Sequence, residues 1–336
     1  TILLDKLSPN KEYIASISVD GVFEKEIDIF TKRPHLDDVQ FLIGYNTGES
    51  SKNLFSNMMK TNSDFMVWLG GHVDFNKSIS FDNRMENYIK TRKIKYINDF
   101  MSSIPQIATW NELDYGVDNE GDFQFLRDTA YFTFDLFWPN SVRKTYNYTY
   151  YDYGTYQRYT YNDVDIFLLD AKTFSSSNSL YGNKQLDRLF QEIDNTGSTF
   201  TIIASPSSFT FEKESSYLNY PSFKYFIEKI EISRPEGLIF ISTGSDNGTK
   251  LNTLSFQEDV NKPSYNYITE FNISSLEKNN YSLVNVYGKK LIQEGSITED
   301  YLKNSIKEFK ELLDDQYKNA KNYKPKIEWF EGTWSR

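Results

Sequence analysis

The chain has 336 residues, a formal net charge of −10 and a sequence pI near 4.9. This length suits one large domain or two ordinary ones with a substantial core, and the acidic balance excludes nucleic acid as the expected partner. With no cysteine and only two histidines, His35 and His72, the chain has no disulfide, thiolate nucleophile or Cys-ligated metal and few imidazoles for metal or proton chemistry.

Residues 1–33 read as β-structure. Tyr13, Ala15, Ile17 and Val19 alternate with mostly polar neighbours, Asp20-Gly21 is a hairpin turn signal, and the alternation resumes over 22–30. Two or three strands are too few to stand alone, so they are expected to pair with upstream strands or to pack on the main domain. A polar linker over 31–38 carries His35, which is read as inert. Next come a buried strand over 39–44, a helix over 54–60 and an apolar strand over 65–69 ending at Gly70-Gly71. Strand, helix, strand with glycines at the strand ends is an α/β rhythm.

A helix is expected over 82–104, with Met85, Tyr88, Ile89, Ile97 and Phe100 among its inward positions, and its basic stretch 90–95 reads as a solvated face. A third core strand follows over 107–110, then an aromatic-rich helix over 124–138. The Tyr-rich stretch 145–161 reads partly as a contact surface and, over 154–161, as a core strand. Further strands are expected over 164–170, 200–204, 238–242 and 281–287. The helix over 182–195 places Leu186, Leu189, Phe190 and Ile193 inside. The tail 298–321 is amphipathic, with Thr298-Glu299-Asp300 at its expected N-terminus. No apolar run approaches the ~20 residues that span a bilayer, and no charged-then-apolar leader opens the chain. Asn-x-Ser/Thr matches at Asn76, Asn147, Asn247, Asn272 and Asn280 are what so Asn- and Ser-rich a chain produces by chance.

The stretch Ala108-Thr109-Trp110-Asn111-Glu112-Leu113-Asp114-Tyr115-Gly116 resembles the A-T-W-D-D-H-D-Y-G signature of the alkaline phosphatase D (PhoD-like) metallophosphatases. Other pieces follow in order. Trp68-Leu69-Gly70-Gly71 resembles W-L-G-D, and Asn83-Arg84-Met85 with 88–92 resembles an R-Y-T-K-T-R helix. Phe137-Trp138-Pro139-Asn140 resembles F-W-x-N-P, and 163–174 resembles G-D-V-E-x-F-L-L-D-x-R-x-F. Residues 181–189 resemble L-G-x-x-Q-x-x-W-L, and Gly244-Ser245-Asp246-Asn247 resembles G-D-R-H. Leu7-Ser8-Pro9-Asn10-Lys11-Glu12-Tyr13 is similar to the L-x-P-x-T-x-Y corner of fibronectin-type sandwiches.

The resemblance implies an α/β fold of the metallophosphoesterase type: two packed mixed sheets flanked by helices in four layers. A fibronectin- or Ig-like β-segment (1–33) would precede the phosphatase-like domain (39–297), and a C-terminal helix and tail (298–336) would follow.

The family's metal ligands are what this chain lacks. Where the resemblance places a Cys ligand stands Tyr45, and where it places the bridging Asp stands Gly71. The Asp-Asp-His positions hold Asn111, Glu112 and Leu113. With a one-residue insertion before Gly244, the last motif's Asp and His are Ser245 and Asn247. Two cations ~3.5–4 Å apart need carboxylates, imidazoles and an anionic bridge to offset their repulsion. No metal, cofactor or catalytic residue is therefore expected. His72, Asp74, Asp114 and Asp246 are the residual pocket candidates, alongside Glu112; His72 is the best lone metal candidate, although a loop histidine is more often a surface or hydrogen-bonding residue. Asp114 is expected to make a turn hydrogen bond with Gly116. The chain has no G-x-S-x-G elbow and no phosphate loop.

The reading that follows is an inactive pseudophosphatase serving as a structural or binding subunit with protein partners. Its location would be extracytoplasmic or at the cell surface, as the resemblance implies. Two alternatives stand beside it. One is a phosphoesterase with a relocated metal site. The other is a glycan- or nucleotide-binding module with a small-molecule ligand in the former pocket, lined by Tyr45 and Trp68.

Overall fold

The computed structural model describes residues 6–31, 39–48, 50, 52–75, 80–116, 124–138, 154–211, 216–235, 237–245, 248–255, 267–278 and 281–286. The chain divides into two compact units, Thr1–Val286 and Tyr287–Arg336. The expected C-terminal helix lies outside the described residues, as do the linker with His35 and most of the Tyr-rich stretch.

Strands β1 (Lys11–Val19) and β2 (Val22–Thr31) form the expected hairpin. Asp20 and Gly21 both take positive φ at its turn, the backbone that a two-residue loop needs to match the strands' twist. The backbone N–H of Ser8 donates to the Tyr13 hydroxyl at 2.7 Å, tying the chain's entry to β1. The hairpin stays exposed on both faces at Ile14, Phe23 and Phe30 and at Val19, Val22 and Ile27.

The first sheet has the order β12-β3-β4-β5, built from β3 (Val39–Gly44), β4 (Phe65–Leu69), β5 (Gln106–Thr109) and β12 (Ser282–Val286). β3, β4 and β5 run parallel, and β12 closes one edge antiparallel. All five residues of β4 are buried, as expected of a parallel strand covered on both faces. The second sheet has the order β10-β11-β9-β8-β7-β6. Its parallel interior comprises β7 (Val164–Leu168), β8 (Phe200–Ser205), β9 (Leu238–Ser245) and β11 (Tyr267–Ser274). Antiparallel β6 (Gln157–Tyr161) and β10 (Lys250–Ser255) form its edges.

The described residues hold seven α-helices: α1 (Lys52–Met58), α2 (Phe81–Lys93), α3 (Lys95–Met101), α4 (Glu112–Tyr115), α5 (Gln124–Phe137), α6 (Asn183–Asp194) and α7 (Ser222–Ser233). Three apolar cores set the layers. Phe41, Ile43, Val67 and Leu69 of the first sheet meet Ile166, Leu168, Ile202 and Ile241 of the second. The other face of the first sheet packs Trp68 on Phe55, Tyr88, Phe100, Phe134 and Trp138 from α1, α2, α3, α5 and the residue after α5. The outer face of the second packs Phe167 and Phe240 on α6 and α7. Helix, sheet, sheet, helix is the four-layer arrangement expected above.

The expected helix over 82–104 is two helices, broken at Ile94, whose ψ of 117° is extended. Ile89 is exposed rather than inward, and Arg84 is fully buried on the face that Ile89 was expected to share. Helix α7 and strands β10 and β11 had no counterpart in the sequence reading. Asn272 is buried, and its amide donates to Ser242 Oγ and the Thr243 carbonyl, so that sequon is closed to a glycan.

Candidate functional site

The parallel strands β3, β4 and β5 all end at one edge of the first sheet, and the family-like positions cluster there. Open α/β sheets bind ligands at this carboxyl edge. Beyond β3 lie Tyr45 and Asn46, beyond β4 Gly70, Gly71 and His72, and beyond β5 Trp110 and Asn111. Backbone bonds lock the first two loops together: the Asn46 N–H donates to the Gly70 carbonyl at 3.0 Å, and the Thr47 N–H to that of Gly71 at 2.9 Å. The Thr47 hydroxyl donates to the His72 carbonyl at 2.8 Å.

An amide plug fills the centre. Asn111 caps α4 through its Oδ1, which accepts from the Leu113 N–H at 2.9 Å. Its Nδ2 donates to Asn46 Oδ1 at 2.8 Å. That same Asn46 oxygen occupies the direction a side chain at Gly71 would take, so a Cβ there would collide with it. Gly71 has φ +69° and Gly70 φ +87°, backbone that glycine adopts without strain. A Cβ on Gly70 would strike Asn111. An aspartate at 111 would still cap the helix, but it would lack the N–H that meets Asn46 and would set negative charge against its carbonyl oxygen. The amides at 46 and 111 and the glycine at 71 therefore form one interlocking set.

Asp114 lies beneath this plug, 2% exposed. One carboxylate oxygen accepts from the Gly71 N–H at 2.5 Å and the Asn111 N–H at 3.2 Å. The expected bond to Gly116 is not made: that N–H donates to the Glu112 carbonyl, because Gly116 closes α4 in the left-handed region. Burial pushes the Asp114 carboxyl up to about 7, against the opposing effect of backbone N–H groups at Gly71, Asn111 and Val73. Arg84 supports the turn from α2, donating to the carbonyls of Asp114 (2.8 Å) and Tyr115. Burial lowers its guanidinium to about 10. Only glycine fits at 116, since a Cβ would meet Arg84.

The other candidates do not converge. His72 is 1% exposed, so it is not the surface loop residue that its position suggests. Its ring points into the aromatic core, 5.1 Å from the centroids of both Trp68 and Trp138. Desolvation, aided by Arg92, holds it neutral well below the usual histidine range. Asp74 and Glu112 are exposed and Leu113 is half-buried. Tyr45 is buried, and its hydroxyl accepts the Gly244 N–H at 3.1 Å, bridging the two sheets. Ser245 is buried at the end of β9, while Asp246 and Asn247 lie outside the described residues. Trp68 is completely buried, so the expected aromatic lining of Tyr45 and Trp68 is not displayed to a ligand.

Among the described residues no three His, Asp or Glu side chains converge as metal ligands do. The described residues at this edge do not fit a two-metal cluster: where the resemblance places the bridging aspartate stands Gly71, whose side-chain space is already filled by the Asn46 amide.

The second sheet presents a different pair of buried acids. Asp170, after β7, accepts from the N–H groups of Thr155, Lys172 and Thr173 and from the hydroxyls of Thr155 and Thr173. Glu270 on β11 accepts from the N–H groups of Phe209 and Thr210 and the hydroxyls of Ser208, Thr210 and Ser242. Each organises a loop. The alternating pattern gives no reason to bury an acid at Glu270, and only the Ser/Thr-rich stretch 205–210 hints at its donors.

Two stacked mixed sheets between helical layers, with loops gathered at the parallel strand ends, match the metallophosphoesterase fold of the solved structures the chain is similar to. The chain is similar to the solved structure of PhoD, with a TM-score of 0.65 and 14% identity over 82% of this chain and 64% of that one. It is also similar to purple acid phosphatase PPD1 isolated from yellow lupin (Lupinus luteus) seeds, with a TM-score of 0.56 and 12% identity over 80% of this chain and 51% of that one. The chain thus spans less than two thirds of either structure. No protein-family model and no curated protein matches the sequence.

Proposed function

We propose that this chain is a catalytically inactive, PhoD-like pseudophosphatase that works as a structural or binding subunit of a larger assembly. The observation that carries the reading is the Asn46–Asn111 amide plug, which occupies the space above Gly71 where the resemblance places a bridging aspartate. A two-metal phosphatase needs that anion to offset the repulsion between the cations that activate water. Asp114, the one letter of the central motif's acidic set retained in place, is engaged as a turn anchor instead.

Exposed apolar groups support the binding role. Phe132 and Leu136, four residues apart on α5, are 55% and 61% exposed, and the hairpin adds Ile14, Phe23 and Phe30. Apolar surface of this kind favours a protein partner. The PhoD resemblance leans the location toward the extracytoplasmic side or the cell surface.

The deciding experiment measures metal content and turnover together. The purified chain, loaded in turn with zinc, manganese, iron and calcium, is assayed on p-nitrophenyl phosphate and bis-p-nitrophenyl phosphate. The proposal expects less than one metal per chain and rates at the buffer background. Stoichiometric metal with turnover abolished in Asp114→Ala or His72→Ala would replace it with the phosphoesterase reading.

A further inference from the structure

Behind the plug, the residues after β4 meet α2 and the end of α5 in a cage of aromatic rings with unusual polar content. His72, Tyr88 and Trp138 are each no more than 2% exposed. Both imidazole nitrogens of His72, the Tyr88 hydroxyl, the Trp138 indole nitrogen and Arg92 Nε have no well-formed hydrogen bond among the described residues. The Trp138 N–H lies near enough to the Tyr88 hydroxyl to influence its titration, but the two do not meet with hydrogen-bond geometry. Buried polar side-chain atoms are seldom left without a partner, so five in one cage demand an occupant.

The rings are close neighbours. His72 lies 5.1 Å from Trp138 and 6.4 Å from Tyr88, centroid to centroid, and Arg92 Cζ sits 4.8 Å over the Trp138 ring. The Tyr88 and His72 rings are within 24° of parallel yet far wider apart than Tyr88 and Phe137, which stack at 4.3 Å.

The chemistry of these atoms selects the occupant. Trp138 and Arg92 can only donate, a neutral imidazole offers one donor and one acceptor, and a tyrosine hydroxyl does either. A cation is disfavoured by the Arg92 guanidinium. An anion would leave the imidazole lone pair unmet. A small neutral molecule that both donates and accepts satisfies the set. We infer that the His72–Tyr88–Trp138 cage is an internal hydration site, in which ordered water accepts from Trp138 and Arg92 and bonds the imidazole and the tyrosine hydroxyl. Internal waters of this kind usually make about three hydrogen bonds to buried polar groups.

Two experiments test it. A high-resolution crystal structure should show a peak roughly 2.7–3.2 Å from a His72 nitrogen, with no anomalous signal there after a bromide soak. A dry cage, a His72 nitrogen bonded directly to protein, or bromide at that position would overturn the assignment. In solution, histidine-selective 15N labelling gives only two imidazoles, and His35→Gln leaves one. The remaining imidazole should show a hydrogen-bonded neutral signature with cross-peaks to water, and Tyr88→Phe should shift its nitrogens while the protein stays folded. Nitrogens characteristic of an unbonded ring, or unmoved by Tyr88→Phe in a folded protein, would sink the proposal.

Discussion

The two sheets treat buried charge in opposite ways. At the second sheet, Asp170 and Glu270 each receive five hydrogen bonds from neighbouring loops. At the first, Asp114 receives its bonds on one carboxylate oxygen from two N–H groups, and His72 beside it has none on its ring. Buried acids are tolerated where donors saturate them. The first edge, where the resemblance would place metal, holds polar groups that are partly satisfied; the second holds a finished scaffold. The Leu168-Leu169-Asp170 motif belongs to that scaffold.

The largest test of the contrast is removal of a saturated acid. Glu270→Ala leaves five donors without an acceptor and should cost on the order of 3–5 kcal/mol, read as a loss of folded protein or a large drop in urea midpoint. A shift below about 1 kcal/mol would mean that the loop finds other partners.

Asp114→Asn should behave differently, because its carboxyl is pushed up to about 7 from an ordinary value near 3.8. A raised folded-state value means that stability is fully present below 3.8 and is lost as pH rises through 7. The variant should therefore gain on the native chain between about pH 4 and 7 by roughly 2–4 kcal/mol and stay level above. A pH-independent difference in chemical denaturation would refute the buried, underserved carboxylate.

Gly71→Ala should cost on the order of 1–3 kcal/mol, from its positive φ and the collision with Asn46. Asn46→Gly should return the collision part but not the φ part, so the double variant is more stable than the sum of the singles predicts. Strict additivity would show that the Asn46 amide does not fill that space.

His72 works with the opposite sign from Asp114. Its folded-state value is depressed, so the unfolded chain binds its proton first and stability falls as pH drops below about 6.5. His72→Phe should flatten that acid limb while leaving the neutral limb near the native chain. The smallest effect is expected at the surface: Phe132→Ser with Leu136→Ser should change stability by no more than about 0.5 kcal/mol per site. Under the proposed subunit role, the same pair should abolish capture of a protein partner by α5.

Much of the frame was legible in the residues. The runs 39–44 and 65–69, the helix spacing of Leu186, Leu189, Phe190 and Ile193, and the Asp20-Gly21 turn all fold as their patterns predict, because local periodicity follows directly from which face is buried. The departure of Gly71, Asn111 and Leu113 from the motifs the chain resembles was equally visible. Hidden were Arg84 and Glu270, since a charged letter reads as solvent-facing until its partners arrive from distant loops. The break at Ile94 was hidden as well, because α2 and α3 share one continuous helical pattern.

What the sequence alone determined is a set of phosphatase-like motifs with glycine, amides and leucine where the resemblance places cation-binding groups. Only the tertiary structure decided what became of the space. It brought Asn46, sixty-five residues away from Asn111, onto Gly71, turned His72 inward among aromatic rings, and made Asp114 a turn anchor. Those outcomes depend on which loops meet at the ends of parallel strands, and contacts between distant segments carry no local pattern from which to read them.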